Sequence, residues 1–153
     1  KPVLYELKKH IDFKILFITN FDYELPGLDL KIIKWSEKSE IHDLHKIDIG
    51  LYPLTKSPWS LGKGGLKTLQ YMAVGIPTVS TDFGTVQNFI THQENGFLAN
   101  NNADWINGIM SIISDDALRI KVIESARRTV EEGYSVSANK IKYIEILNRL
   151  SNS

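Results

Sequence analysis

The segment GKGGLKTLQYMAVGIPTVS, residues 62–80, carries most of the information about the fold. Its glycine-rich start, the amphipathic stretch that Gly75 ends and the apolar run from Pro77 predict a loop, a short helix and a buried strand. A helix that begins in such a loop presents unpaired backbone N–H groups and the positive end of its dipole, which favours phosphate binding. Lys63 and Lys67 add positive charge there. The alternative is a packing turn with its lysines in solvent, because short glycine motifs often match by chance.

The composition is that of an ordinary soluble domain. The chain has 153 residues, 42% of them hydrophobic, and its 18 Lys and Arg balance its 18 Asp and Glu. This balance argues against a general nucleic-acid or membrane surface. The absence of cysteine excludes disulfides and thiolate metal ligands. No apolar stretch is long enough to span a bilayer and no signal-peptide pattern is present, so we expect one cytoplasmic domain.

Strands and helices alternate along the first two thirds of the sequence, and the remainder is helical. This pattern predicts an α/β fold, a doubly wound parallel sheet with C-terminal helices. Ligands bind such sheets at the carboxyl ends of the strands, where the long loop 52–65 is expected. The predicted strands cover residues 14–19, 30–35, 48–51, 78–80 and 96–99. The predicted helices cover residues 3–10, 39–45, a stretch after 85, 103–113, 115–131 and 136–150, with Ser39 and Asp115 as caps and Gly133 as a stop.

Five motifs occur in an order that resembles a known family. They are DIGLYPL (48–54), the segment 62–80, TDFG (81–84), ENGFLA (94–99) and VEEGYS (130–135). Over residues 48–134 the chain resembles the donor-binding, C-terminal half of retaining GT-B glycosyltransferases of the family-4 type (glycosyl transferases group 1). The resemblance implies a Rossmann-like nucleotide-sugar-binding domain, transfer with retention, and no cofactor or obligatory metal. A role in polysaccharide biosynthesis is implied at the level of the family.

In that family two glutamates, separated by seven residues, flank the start of the loop helix and contact the donor sugar and the ribose. The corresponding positions here are Gly62 and Gln70, and both depart from the pattern. Gln70 is expected to bind the ribose hydroxyls, without the stronger bond of a carboxylate. Gly62 has no side chain, so the sugar contact expected there is lost or comes from elsewhere.

The resemblance also assigns the diphosphate and sugar of the donor to the segment that opens the helix. The backbone of Gly65 and Leu66 is expected to face these groups, with Lys63 near the same charge. Lys67 is a weaker candidate, and the alternative for it is a solvated helix position. The predicted diphosphate- and sugar-binding residues are Lys63, Gly64, Gly65, Leu66 and Lys67.

Other polar and aromatic positions carry weaker expectations. Trp35 and Ser36 follow a strand at the ligand edge, where this family commonly places the base, although a cover role fits Trp35 equally well. Trp59 either shields the sugar or, as the more common role, anchors its loop. Asp82 is expected to cap the helix that follows it. The four histidines show no metal-ligand spacing: His10, His42, His45 and His92.

By the standard of the family the sequence begins inside the first helix of the donor domain. The preceding strand and the acceptor-binding domain are expected partners, so the chain alone is predicted to transfer no sugar. Without a central strand, neighbouring strands close the gap, another copy covers it, or the N-terminal register is wrong. Two other functions stay open: a nucleotide- or nucleotide-sugar-binding module without activity, and a structural, partner-binding α/β domain. The full-length protein could also work at the inner face of a membrane.

Overall fold

The computed structural model describes residues 1–151. Its helices and strands alternate as the sequence predicts, and the α/β class is confirmed. The strands are β1 (Ile15–Ile18), β2 (Leu30–Ile33), β3 (Gly50–Tyr52), β4 (Thr78–Thr81) and β5 (Phe97–Ala99). The helices are α1 (Pro2–Leu7), α2 (Glu40–Leu44), α3 (Pro58–Leu61), α4 (Leu66–Ala73), α5 (Asn102–Ser114), α6 (Asp116–Thr129) and α7 (Val136–Ser151).

The five strands form two parallel sheets. β1 pairs with β2, placing Ile15 opposite Leu30. In the second sheet β4 lies between β3 and β5, and Val79 on β4 faces Leu51 on one side and Phe97 on the other. Within residues 1–151 no ladder joins β1 to β3. The first of the three expected ways to close the gap was backbone pairing of the neighbouring strands. Among these residues the structure shows no such pairing.

Two apolar clusters hold the helices against the three-stranded sheet. The larger lies where α1, α5 and α6 meet the sheet, and α1 enters it through the buried Leu7. Its buried members are Leu7, Val79, Phe97, Ala99, Ile109, Ile112 and Val122. The smaller cluster joins α4 and α6 to the segment after β4, with the buried members Met72, Val86, Phe89, Ile90 and Ala126. All four residues of β4 are buried, as expected for the central strand of a covered parallel sheet.

Two predicted helix boundaries are wrong, for local reasons. The helix expected after residue 85 is a 3-10 turn, Gly84–Asn88. The Asn95 side chain accepts from the Thr91 N–H (2.7 Å) and donates to the Phe89 carbonyl (2.9 Å), so these groups are not available to continue a helix. Gly133 does not stop α6, since it lies inside a π-helical turn, Val130–Tyr134, between α6 and α7.

The loop expected at residues 52–65 contains the short helix α3. The Ser57 hydroxyl accepts from the Ser60 N–H at 3.2 Å, and Pro58 occupies the first turn, where its missing N–H costs nothing. This turn shortens the irregular part of the loop and fixes the direction from which the chain enters the glycine-rich segment.

The last helix, α7, differs from α5 and α6 because none of its described residues is buried. Its large apolar side chains include Ile141 and Leu147, which are 68% and 64% exposed. None of the helices within residues 1–151 combines the length and the apolar character that crossing a bilayer requires.

Candidate functional site

The site is built around Gly65, the residue that directly precedes α4. Gly65 has φ +68°, the left-handed conformation that side chains disfavour, and a Cβ at this position would lie 2.9 Å from Cζ of Phe89. A Cβ at Gly64 would meet nothing within 4 Å. Gly65 is therefore required by packing and backbone geometry, whereas Gly64 leaves open space in front of the helix.

The start of α4 provides free backbone donors at the edge of the sheet. Hydrogen bonding along the helix begins with the Leu69 N–H and the Gly65 carbonyl (3.2 Å), and the N–H groups before Leu69 are those that a helix start leaves without an intrahelical partner. α4 follows β3 and packs on the sheet, so its N-terminus lies beyond the carboxyl end of β3. Leu66 at this end is 67% exposed. In the segment predicted to bind the diphosphate, Lys63 and Gly64 are exposed as well, whereas Gly65 is buried.

Contacts at both ends of α4 fix its position on the sheet. The Thr68 and Ser80 hydroxyls are 3.3 Å apart, and both residues are buried between helix and β4. At the other end Gly75 has φ +79°, which lets the Ile76 N–H return to the Tyr71 carbonyl at 2.9 Å. The helix is thus held by a buried polar contact near its start and a left-handed turn after its end.

A shallow open pocket lies on the outer side of the glycine-rich segment. Its lining residues are Pro58, Trp59, Gly62 and Lys63. Trp59 is 82% exposed, so the expectation that it anchors the loop is wrong. The ring stands beside Lys63, and Ser57 and Pro58 set the turn instead.

A polar cluster on the other side of α4 joins residues that the sequence places far apart. Oε1 of Glu40, at the start of α2, accepts from Nζ of Lys67 (2.9 Å) and from Nε1 of Trp35 (3.0 Å). The Glu40 side chain is only 19% exposed, and that of Lys67 is 43% exposed. Lys67 is therefore an ion-pair partner in this structure, and the alternative of a simply solvated lysine is wrong.

Gln70 lies next to this cluster, one turn along α4 from Lys67. Hydrogen bonds from Lys67, Trp35 and, more weakly, Gln70 lower the pKa of Glu40, and only partial burial opposes them. Oε1 of Gln70 is buried and has no hydrogen-bond partner among the described residues. A buried acceptor without a donor costs about 1–3 kcal/mol, so this amide is not placed there for stability.

Trp35 and Ser36 have different roles in the structure. The Trp35 ring is 40% exposed, and its N–H is held by Glu40. The Ser36 hydroxyl accepts from the Ser39 N–H (3.3 Å) and lies 3.0 Å from the Ser39 hydroxyl. Ser39 itself has helical backbone angles and caps nothing with its side chain, so its predicted capping role is wrong.

The structure thus brings Trp35, Lys67 and Gln70 together through Glu40. Sequence reasoning missed Glu40 because its side chain reaches Lys67 across 27 positions of the chain. One signal pointed to it: Glu40 is a carboxylate in the first turn of the helix that follows β2 and Trp35. Lys63 lies apart from this cluster, with the open pocket.

Asp82 belongs to a third group of polar side chains, beyond the ends of β4 and β5. It accepts from Nε2 of Gln87 (2.7 Å) and from Nδ2 of Asn100 (2.8 Å), and Nζ of Lys56 donates to Oδ1 of Asn100 (2.8 Å). Bonds from Asn100 and Gln87 lower the Asp82 pKa, helped by the Lys56 charge. Asp82 caps no helix, contrary to expectation, because Phe83 occupies the capping position.

Within residues 1–151 no group of three or more His, Cys, Asp or Glu side chains could hold a metal ion. His92 has a local role: Nδ1 accepts from the Leu98 N–H at 3.0 Å, and its ring packs against Phe97 with centroids 5.8 Å apart. The chemistry that the described side chains support is recognition of anions and hydroxyls.

Comparison with known protein families matches this architecture to one of them. The sequence profile described as "Glycosyl transferases group 1" matches residues 25–129, more than half of the chain, including β2 to β5, α4 and α5. The chain belongs to the glycosyl transferases group 1 family. The matched part contains the glycine-rich segment and the polar cluster formed by Trp35, Glu40, Lys67 and Gln70, here called the Glu40 cluster. A comparison with curated proteins gives no match.

Several solved glycosyltransferase structures share the fold. A glycosyltransferase from Rickettsia africae is 23% identical with a TM-score of 0.73, and the match covers 99% of this chain and 45% of that one. The C-terminal domain of the group 1 protein LpcC from Francisella tularensis is 22% identical (TM-score 0.59; 72% and 56% covered). Anabaena HepE, in complex with UDP and glucose, is 18% identical (TM-score 0.67; 79% and 32% covered). This chain therefore spans about a third to a half of these structures, and the likeness shows the GT-B type of fold.

Proposed function

We propose that the chain is the donor-binding part of a glycosyltransferase that moves a sugar from a nucleotide-sugar to an acceptor with retention of configuration. Membership of the group 1 family supports this proposal. So does the likeness of the fold to HepE, whose structures contain UDP with glucose and UDP-glucose. The observation that carries it is the accessible start of α4 behind Gly64 and Gly65, at the carboxyl end of β3.

The diphosphate is proposed to bind at this helix start. N–H groups before Leu69 and the positive end of the α4 dipole favour an anion, and Lys63 contributes charge from the open pocket. Lys67 can contribute only by leaving Glu40 or by sharing its ammonium between carboxylate and phosphate. The base is proposed to stack on the exposed ring of Trp35, and Ser36 has its hydroxyl engaged with Ser39.

Titration of the chain with UDP, GDP and ADP by calorimetry tests the proposal. One of the three is expected to bind, and Lys63→Gln is expected to weaken that binding about three- to tenfold by removing one charge near the phosphates. Lys140→Gln, on the exposed helix α7, is the matched control and should change nothing. Absence of binding by all three nucleotides would contradict the proposal.

Transfer itself is proposed to need the acceptor-binding part of the protein. The chain spans 32–56% of the three related structures described above. We expect no sugar transfer by this chain in an assay with radiolabelled nucleotide-sugar. Retention is tested on the full-length protein by NMR, from the anomeric configuration of the product. Robust sugar transfer by the chain alone would refute the proposal that transfer needs the acceptor-binding part.

A nucleotide-binding module without transfer activity is the second candidate. Gly62 and Gln70 favour it, because neither position supplies the carboxylate that the family places there. The two candidates differ in the full-length protein, which would bind nucleotide-sugar without turnover if the second is right.

A further inference from the structure

Glu40 is the carboxylate around which Trp35, Lys67 and Gln70 converge. It lies on α2, outside the segment 62–80, and the side chains of Trp35 and Lys67 both donate to its Oε1. A carboxylate accepts about four hydrogen bonds. Two donors on one oxygen therefore orient Glu40 firmly and leave it capacity for a ligand.

The neighbouring side-chain amide of Gln70 contains an unsatisfied hydrogen-bond acceptor. Oε1 of Gln70 is buried without a hydrogen-bond partner among residues 1–151. The same side chain also forms a weak hydrogen bond to Glu40. A hydroxyl donates one hydrogen bond and accepts others, so two adjacent hydroxyls can satisfy a carboxylate and an amide together. Lys and Arg side chains of a protein partner could not do so without adding charge beside Lys67.

The third observation is the position of Trp35. Its ring is 40% exposed, and its indole N–H is tied to the same carboxylate at 3.0 Å. A flat exposed ring next to a carboxylate and an amide is complementary to a nucleoside, in which the base is attached to C1′ of the same ribose that carries the 2′- and 3′-hydroxyls.

We propose that Glu40 binds the ribose of the nucleotide together with Gln70, and so supplies from α2 the carboxylate that α4 lacks at position 70. This proposal rests on the proposed nucleotide-binding function. The 2′-hydroxyl donates to Glu40, and the 3′-hydroxyl donates to Oε1 of Gln70. Because Oε1 is enclosed in the structure, the Gln70 side chain rotates toward the ligand on binding.

Lys67 has a positioning role in this arrangement. Its ammonium lies 2.9 Å from Oε1 of Glu40, fixes the position of the carboxylate, and lowers the pKa of Glu40 through this hydrogen bond. An ionised carboxylate accepts stronger hydrogen bonds from hydroxyls than an amide does. The preference of this site for ribose over deoxyribose then depends on the negative charge of Glu40 and not only on the shape of its side chain.

The test compares the nucleotide that binds most tightly among UDP, GDP and ADP with its 2′-deoxy form. The wild-type chain is expected to bind the ribonucleotide about tenfold more tightly, equivalent to one good hydrogen bond to a charged group. Glu40→Gln keeps an acceptor for Trp35 and is expected to bring the affinities for the two nucleotides within about twofold of each other. Glu37→Gln, an exposed glutamate in the same segment, is the matched control and should keep the full preference.

Two results would overturn the assignment while the proposed function stands. One is a wild-type chain that binds both nucleotides equally. The other is a Glu40→Gln variant that weakens both by the same factor, which would mean that Glu40 only holds Trp35 and Lys67 in place. If no nucleotide binds the wild-type chain, the proposed function fails as well, so the two failures are distinguishable.

Discussion

At the scale of single residues, Gly65 shows how one position serves both the fold and the site. Its positive φ and the approach of Phe89 exclude a side chain, and the same residue directly precedes the first residue of α4. Gly64 has neither constraint. The two glycines look alike in the sequence, and only the structure separates the one that packing requires from the one that leaves room for a ligand.

Gly65→Ala is expected to lower the free energy of unfolding by about 2 kcal/mol, because it combines a left-handed backbone with a Cβ only 2.9 Å from Phe89. Gly64→Ala should stay within about 0.5 kcal/mol of wild type, since its Cβ meets open space. Chemical denaturation followed by circular dichroism measures both. Equal losses in the two variants would contradict the distinct roles assigned to them.

The family resemblance allowed the glycine-rich segment, Trp35 and Gln70 to be predicted as parts of one donor site. It did not allow Glu40 to be found. Hydrophobic periodicity reports which face of α2 is buried, but contact with Lys67 depends on how α2 and α4 pack. The role of Asp82 was missed for a related reason: its partners Gln87 and Asn100 become neighbours only when β4 and β5 pair.

At the scale of elements, a residue that was predicted to cap a helix does so where its backbone is extended. Asp115 fits this rule: its backbone is extended and its carboxylate accepts from the Leu118 N–H at 2.9 Å. Ser39 does not, because its backbone is already helical and a preceding serine, Ser36, accepts its N–H. The residue type was right in both cases, and backbone conformation decided which of them caps.

Asp115→Ala is expected to destabilise the protein by about 1 kcal/mol through loss of this cap. Asp116→Ala is the matched control: its side chain is 79% exposed and forms a surface ion pair with Arg119, so its loss should cost less than about 0.5 kcal/mol. Thermal unfolding monitored at the helical circular-dichroism band compares them. A larger effect at Asp116 than at Asp115 would show that the assignment of the cap is wrong.

At the scale of the whole molecule, the division into two sheets sets the pattern of stability. β4 is paired on both sides and completely buried, whereas β1 and β3 each have, among residues 1–151, a strand partner on one side only. Backbone groups on an unpaired edge exchange with solvent more readily and offer a template for pairing with another chain. The sheet that carries α4 should therefore be more stable than the β1–β2 pair.

Hydrogen exchange measured by mass spectrometry is expected to be slowest in Thr78–Thr81 and markedly faster in Ile15–Ile18. The difference should not depend on protein concentration if the unpaired edges stay free. Equal protection of the two strands at high concentration, lost on dilution, would instead show that a second copy covers the gap.

The three tryptophans lie in three different environments, so their intrinsic fluorescence reports on three parts of the structure. Trp105 packs against the larger core cluster, Trp59 stands in solvent beside Lys63, and Trp35 is tied to Glu40. Emission from Trp105 therefore follows unfolding, and emission from the other two follows events at the opposite sides of α4. With Trp59 and Trp105 replaced by phenylalanine, the remaining indole would report ligand contact at the Glu40 cluster directly, without any added label.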